Sequence, residues 1–302
     1  MLEIDVEANF ALLVGGDARA FFSRTWRRRV LLTRDAWPEL RGAYGFEAFL
    51  EDYRRADFHQ ATLLATAEGQ RRVMRRPSST EEMELALSQG MSAVLQALLV
   101  RDRVAPLPQA WRRLLSFYDQ LRSFLLPGFP VTRPTDRPVS ALDVFCTTSG
   151  ATTGGHYDSG DVFYLVLEGE KEWTIETTPD PATAYSLMAE GTGYAQDRPP
   201  LREHQVMMVR PGDCLYVPPF TYHRVRSSGR SLAVSFGLPA FTEVTLLTTF
   251  LQDLQRGSPS LFEPLPTFPR ALPDLASAAA GEVHARTAQL LSRLHERMPP
   301  SR

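Results

Sequence analysis

Three residues, His156, Asp158 and His223, constrain this chain more than any others. If His156 and Asp158 are to meet one metal ion, the residue between them must point away. A β-strand end does this, because alternate side chains share a face. His223 must then be carried to the same spot by a second strand end, which asks for a closed or folded-over sheet. Two imidazoles and one carboxylate cover one face of an Fe(II) octahedron and leave three positions for a co-substrate and O2. The pattern is that of an oxygenase site.

The sequence around these residues reads as β structure. The run Thr153-Gly154-Gly155-His156-Tyr157-Asp158 leads into Val162–Leu167, the turn Glu168-Gly169-Glu170, and Lys171–Ile175. Its β-branched and aromatic content and its glycine-bearing turn predict a hairpin. Arg210-Pro211-Gly212-Asp213 has the Pro and Gly of a second turn, from which Cys214–Pro219 extends toward His223. A lone His-x-Asp arises by chance, and a histidine after a Pro-Pro loop is commonly an ordinary surface or core residue. Taken together, in this order, the elements are what a double-stranded β-helix needs to bring two distant segments to one mouth.

Lys171 lies fifteen residues beyond His156, on the strand returning from the expected hairpin. Such a strand can place an ammonium inside the barrel, where it would pair with the far carboxylate of 2-oxoglutarate. The plainer reading is a solvated lysine in the charged turn Glu170-Lys171-Glu172.

With these residues in view, the segment from about 139 to 238 resembles the JmjC-type, cupin-fold hydroxylases, and most closely the ribosomal-oxygenase group. The resemblance is carried by His156-x-Asp158, His223, Asp161-Val162-Phe163 and Gly169-Glu170-Lys171-Glu172-Trp173. It implies that His156, Asp158 and His223 hold Fe(II) and that Lys171 binds 2-oxoglutarate. A related asparaginyl hydroxylase has a threonine three residues before its first ligand that also reaches the co-substrate, and Thr153 stands there. More weakly, Phe22–Leu32 and Pro106–Leu126 are similar to the aromatic-basic segment and the pre-barrel helix of these enzymes. The expected fold is therefore mainly β with helical flanks: a jelly-roll or cupin double-stranded β-helix with N-terminal α/β and C-terminal helical elements.

Three regions are expected: 1–137, a mixed helical region supporting the barrel; 138–240, the barrel core; and 241–302, a helical region. In the first, Phe46–Leu50 and Gly90–Leu99 read as helix. In the second, Ser231–Gly237 reads as a strand whose Ser235 faces the pocket, and the Gly/Pro-rich stretch 185–205 reads as an insert over the mouth. Tyr194, Arg198 and His204 are its exposed candidates. In the third, Val244–Leu247 opens one helix, while Val283, Leu290, Leu291, Leu294 and Met298 form one apolar stripe on another. That stripe is expected to pack on its own barrel, with a homodimer through C-terminal helices as the second expectation. The tail is short for the helical region plus winged-helix module of the ribosomal oxygenases.

Composition sets the remaining bounds. With 33 Lys and Arg against 35 Asp and Glu, the formal charge of −2 provides no global field for nucleic acid. The basic clusters at 27–29 and 71–76 read as solvated faces or internal ion-pair partners. Cys146 and Cys214, in two expected strands, read as buried reduced thiols, which fits a cytoplasm. The acidic start Met1–Glu7 is unlike a secretory signal, and no stretch reaches the ~20 apolar residues of a membrane span.

The activity expected is Fe(II)- and 2-oxoglutarate-dependent hydroxylation, by O2, of an unactivated C–H in a protein or peptide residue, releasing succinate and CO2. A free amino acid or natural-product intermediate is the alternative substrate, favoured by the short tail. A non-redox cupin, binding or isomerising a small ligand, is the alternative of another class. Lys171 argues against it, since a metal-only or sugar-binding cupin has no need of a cation there.

Overall fold

The computed structural model describes residues 5–38, 41–42, 44–56, 62–67, 70–74, 79–96, 109–125, 142–189 and 202–239, with isolated positions 285, 288 and 292. The chain divides into two compact units, Met1–Ala240 and Phe241–Arg302. The C-terminal stripe and the expectation of a dimer fall in the second unit, outside the described residues.

In the first unit the order is α1 (Val6–Leu13), α2 (Ala18–Arg24), β1 (Leu31–Thr33), α3 (Phe46–Ala56), β2 (Thr62–Ala67), β3 (Gln70–Met74), α4 (Thr80–Ser88), β4 (Ser92–Gln96) and α5 (Gln109–Leu125). There follow β5 (Leu142–Thr147), β6 (His156–Tyr157), β7 (Gly160–Glu168), β8 (Lys171–Glu176), α6 (Pro181–Ala189), β9 (His204–Val209), β10 (Cys214–Val217), β11 (Tyr222–Ser227) and β12 (Ser231–Pro239). Asp5, Asp17 and Ser79 cap α1, α2 and α4, each side chain accepting a backbone N–H three residues on.

Two antiparallel sheets result. The larger runs β1-β10-β7-β12-β5-β4-β2-β3 and the smaller β6-β11-β8-β9. Strands β5, β7, β10 and β12 thus face β6, β8, β9 and β11 as the two halves of a double-stranded β-helix, the jelly-roll solution to strand edges. Between the sheets Val162, Tyr164, Val166, Trp173, Ile175, Leu215, Val217, Val225 and Ala233 form one buried cluster. Their spacing of two along β7, β8 and β10 is the inward period of each strand.

The outer face of the larger sheet is covered as well. Phe163 on β7 meets Phe10 of α1 and Phe21 of α2 at ring distances of 6.0 and 6.2 Å. Phe236 on β12 meets Phe117 and Tyr118 of α5, and the Tyr118 hydroxyl donates to the Gly237 carbonyl at 3.0 Å. This double burial makes β7 read as an unbroken apolar run. Cys146 and Cys214 are buried free thiols. Among the described residues, no helix is long and apolar enough to cross a membrane.

Three expectations change. Strands β7 and β8 are not a hairpin: they belong to different sheets, and Glu168–Glu170 is the corner between them. The helix expected over Gly90–Leu99 is instead a strand, β4, paired with β5 and β2. Both faces of β4 are buried, so its apolar run has no period to distinguish it from a buried helix, and sheet pairing overrides local propensity. The expected insert over 185–205 is not all loop: α6 continues to Ala189 and β9 begins at His204.

Candidate active site

The site lies where the smaller sheet turns into the larger one. His156 opens β6 and stands opposite His223 on β11. Tyr157, between the expected ligands, faces the other way and packs with Ala184, Phe220 and Tyr222. The two imidazole rings are 4.2 Å apart. Asp158 reaches both, its two carboxylate oxygens lying 3.7 Å from His156 Nε2 and 3.5 Å from His223 Nε2. One donor atom from each of the three residues lies within 4.8 Å of the others.

The backbone prepares both imidazoles. His156 Nδ1 lies 3.1 Å from the Gly154 carbonyl, and His223 Nδ1 lies 3.0 Å from the Thr221 carbonyl. A carbonyl can only accept, so Nδ1 carries a proton and each Nε2 is left on the Asp158 side, where it can serve as the metal-facing nitrogen. Two such nitrogens and an adjacent carboxylate suit a divalent ion of the Fe(II) type.

Lys171 begins β8 and is 2% exposed. Its Nζ donates to Thr147 Oγ1 and, at 2.7 Å, to Ser227 Oγ. Ser231 Oγ lies 2.7 Å from Thr147 Oγ1 and completes a buried group of three hydroxyls. Burial lowers the Lys171 pKa to about 7, with a small opposing pull from the Cys146 thiol beside it. The solvated lysine in a charged turn is thereby replaced by a buried amine turned into the barrel.

His156, Asp158, His223, Lys171, Thr153 and Ser235 all line one cavity of ≈ 200 Å³. Thr153 is tied to β11, its hydroxyl accepting the Val225 N–H at 3.3 Å and its own N–H donating to the Val225 carbonyl at 3.0 Å. Ser235 is register partner of both Asp143 and Tyr164. Tyr194 and Arg198 lie outside the described residues, and His204 is exposed on β9, away from the cavity wall.

Sequence reasoning missed Asp143, Phe145 and Thr147, which line the cavity from β5, and Tyr164, Trp173 and Ser227. The period of two in Asp143-x-Phe145-x-Thr147 was the available signal. Trp173 packs face to face on His223, ring centres 5.3 Å apart at 29°, and Tyr164 meets it edge-on at 4.8 Å.

Comparison with known proteins agrees with this geometry. The JmjC domain family matches residues 135–246. The chain carries a JmjC domain. It is 36% identical over 108 residues to ribosomal oxygenase 2 of Bos taurus, covering 35% of this chain and 20% of that protein. It is 24% identical over 220 residues to a probable ribosomal oxygenase of Haemophilus influenzae, covering 72% and 48%. Thus the chain spans less than half the length of either relative. The crystal structure of the Escherichia coli ribosomal oxygenase YcfD superposes with a TM-score of 0.52 at 17% identity, covering 88% of this chain and 66% of that one. A complex of YcfD with cobalt and 2-oxoglutarate superposes with a TM-score of 0.51 at 18% identity, covering 87% and 65%. The JmjC segment contains β5 to β12, with both histidines, Asp158 and Lys171.

Proposed function

We propose that this protein is an Fe(II)- and 2-oxoglutarate-dependent oxygenase that hydroxylates a C–H bond in a residue of a protein or peptide. One observation carries the reading: an amine buried at the start of β8 lines the same cavity as two imidazoles and a carboxylate. Burying an ammonium costs several kcal/mol unless an anion meets it. The partners described for Lys171 are hydroxyls, which orient the amine without neutralising it. A dicarboxylate supplies the counter-charge with one end while its other end reaches the triad. A metal-only cupin would gain nothing from such a lysine.

His156, Asp158 and His223 would hold Fe(II), which supplies O2 activation coupled to decarboxylation of 2-oxoglutarate to succinate and CO2, with one oxygen atom passing to the substrate C–H. Lys171, with Thr147, Ser227 and the Thr153 hydroxyl, would fix the far carboxylate. Trp173 keeps the His223 ring from rotating, and the apolar wall of buried Tyr164 and Val225 with partly buried Phe145 limits water at the reacting groups. Positioning alone then selects the carbon.

A protein or peptide substrate is favoured by the similarity to ribosomal oxygenases of cattle and of Haemophilus influenzae. The cytosol is the fitting compartment, given two buried free thiols. The test is succinate release from 2-oxoglutarate with Fe(II) and ascorbate in air, wild type beside Asp158→Ala. Release by the wild type alone supports the oxygenase. Absence of both release and Fe(II)-dependent 2-oxoglutarate binding would hand the site to the non-redox cupin reading. Peptide and amino-acid libraries, scored by a mass gain of one oxygen, then separate a polypeptide substrate from a free small molecule.

A further inference from the structure

Asp158 does not sit in a strand. β6 ends at Tyr157 in the smaller sheet and β7 begins at Gly160 in the larger one, so Asp158 and Ser159 form the crossover between them. No ladder fixes such a residue, and its two ends must do so. On the His156 side the hold is visible: His156 is paired with His223, and the Phe220 N–H donates to the Asp158 carbonyl at 2.7 Å.

On the other side Gly160 and Asp161 pair with Pro239 and Leu238 of β12, and the fully buried Asp161 side chain adds a second hold. One of its oxygens accepts the Tyr216 hydroxyl at 2.7 Å. The other accepts Arg27 Nε at 3.0 Å. Arg27 comes from the turn after α2, and its own backbone N–H donates to the same Tyr216 oxygen at 2.8 Å. To do this it adopts φ +57, a left-handed conformation that costs a non-glycine residue about 1–3 kcal/mol unless its surroundings impose it. They do impose it: Trp26 stacks on Tyr216 at 5.5 Å and 17°, and the Arg27 guanidinium lies 5.2 Å from the centre of the Trp26 ring.

We infer that Arg27 is a positioning residue for Asp158: through Asp161 and Tyr216 it anchors the crossover that carries the carboxylate, and so sets the metal affinity of the site. The inference rests on the triad reading above. A brace far from the site would change stability alone. This one grips the chain three residues from Asp158, where a small backbone shift moves the carboxylate away from both Nε2 atoms. Removing Arg27 also leaves Asp161 buried without its cation, which drives that residue toward water and pulls the crossover with it.

Co(II) titration of the full-length protein, followed by visible absorption, separates anchoring from bulk stability. Arg27→Gln is expected to weaken Co(II) binding by about tenfold or more, the range found when outer partners of a metal ligand are lost, and to change the absorption bands. Tyr216→Phe, which removes one of the two bonds to Asp161, should fall between. Arg27→Lys should recover part of the affinity, since an ammonium still neutralises Asp161. Wild-type affinity and spectrum in both Arg27→Gln and Tyr216→Phe would overturn the inference, whatever their thermal midpoints. If Arg27→Gln does not fold, wild-type binding by Arg27→Lys and Tyr216→Phe overturns it equally. Asp158→Ala is run alongside, and unchanged Co(II) binding there would remove the triad reading and this inference with it.

Discussion

His156 and His223 are register partners across β6 and β11, and each turns its Nδ1 onto a backbone carbonyl two residues earlier. The arrangement makes ligand geometry a property of the backbone, so removing one ring should leave the rest of the site standing. His223→Ala should lose Co(II) affinity by more than the about 10–100-fold that follows loss of an outer hydrogen-bond partner. Trp173, packed on the His223 ring, would wall one side of the vacated space. Added imidazole should therefore restore part of the binding, as measured by Co(II) absorption. Failure of imidazole in a folded variant would count against His223 as a ligand.

Lys171 exchanges stability for binding. Its folded pKa of about 7 lies below the ordinary 10.5, so between these values the unfolded chain binds a proton that the folded chain does not. Stability from this group accordingly rises with pH across that window, and the full penalty is present below about pH 7. Lys171→Met should then stabilise the protein at pH 7 by up to a few kcal/mol, seen as a raised thermal midpoint, while abolishing 2-oxoglutarate binding. The wild type should take up a proton on binding the dicarboxylate. Its affinity should fall as pH rises above 7, by at most about tenfold per unit. Calorimetry in two buffers of different ionisation enthalpy measures that proton directly, and a buffer-independent heat with pH-independent affinity would refute it.

Gly155 lets Tyr222 reach the back of the site. A Cβ at this position would stand 2.0 Å from the Tyr222 hydroxyl and 2.5 Å from its ring carbon, and Tyr222 is fully buried. Gly155→Ala must push either the ring or the start of β6, the strand that holds His156. A destabilisation of about 1–3 kcal/mol is expected from the overpacking, with weaker Co(II) binding beside it. Adding Tyr222→Ala should recover metal affinity more than stability, because it opens room and also leaves a cavity. Denaturant unfolding and Co(II) titration of both variants check this.

The site was more legible than the fold around it. His156, Asp158 and His223 carry their meaning in residue type and order, whereas a returning strand only allowed Lys171 to face inward, and the resemblance to JmjC-type hydroxylases gave it a role. What sequence could not give was pairing. Val162–Ile175 shows strand, tight turn and strand in a row, and the local signal for a hairpin is the same as for a corner between two sheets. Only contacts distant in sequence, Ser235 with Tyr164 and His223 with Ile175, separate them. β4 was lost for a similar reason: Ala93 and Leu95 are buried on one face and Ser92 and Val94 on the other, which erases the period that marks a strand. Thr147 and Ser227 stayed invisible because a hydroxyl gains its role only from the lysine brought beside it.

The corner itself supplies a sharper test than either strand. Gly169 has φ +74, and a Cβ there would lie 2.1 Å from the Arg230 carbonyl oxygen and 2.6 Å from Ser231 Cβ. The close approach joins the end of β7 to the turn before β12, whose Ser231 belongs to the hydroxyl group around Lys171. Gly169→Ala combines an unfavourable backbone conformation with a backbone clash, so a loss of several kcal/mol in stability is expected. Because Lys171 begins two residues later, the displaced corner should also raise the 2-oxoglutarate concentration needed for half-maximal binding. Glu170→Ala at the same corner removes only an exposed ion pair to Arg210 and should change stability by less than about 1 kcal/mol. A simple hairpin with free space beneath its turn would suffer only the left-handed backbone cost of about 1–3 kcal/mol, so a Gly169→Ala loss no larger than that in denaturant melts would contradict a corner packed against Arg230 and Ser231.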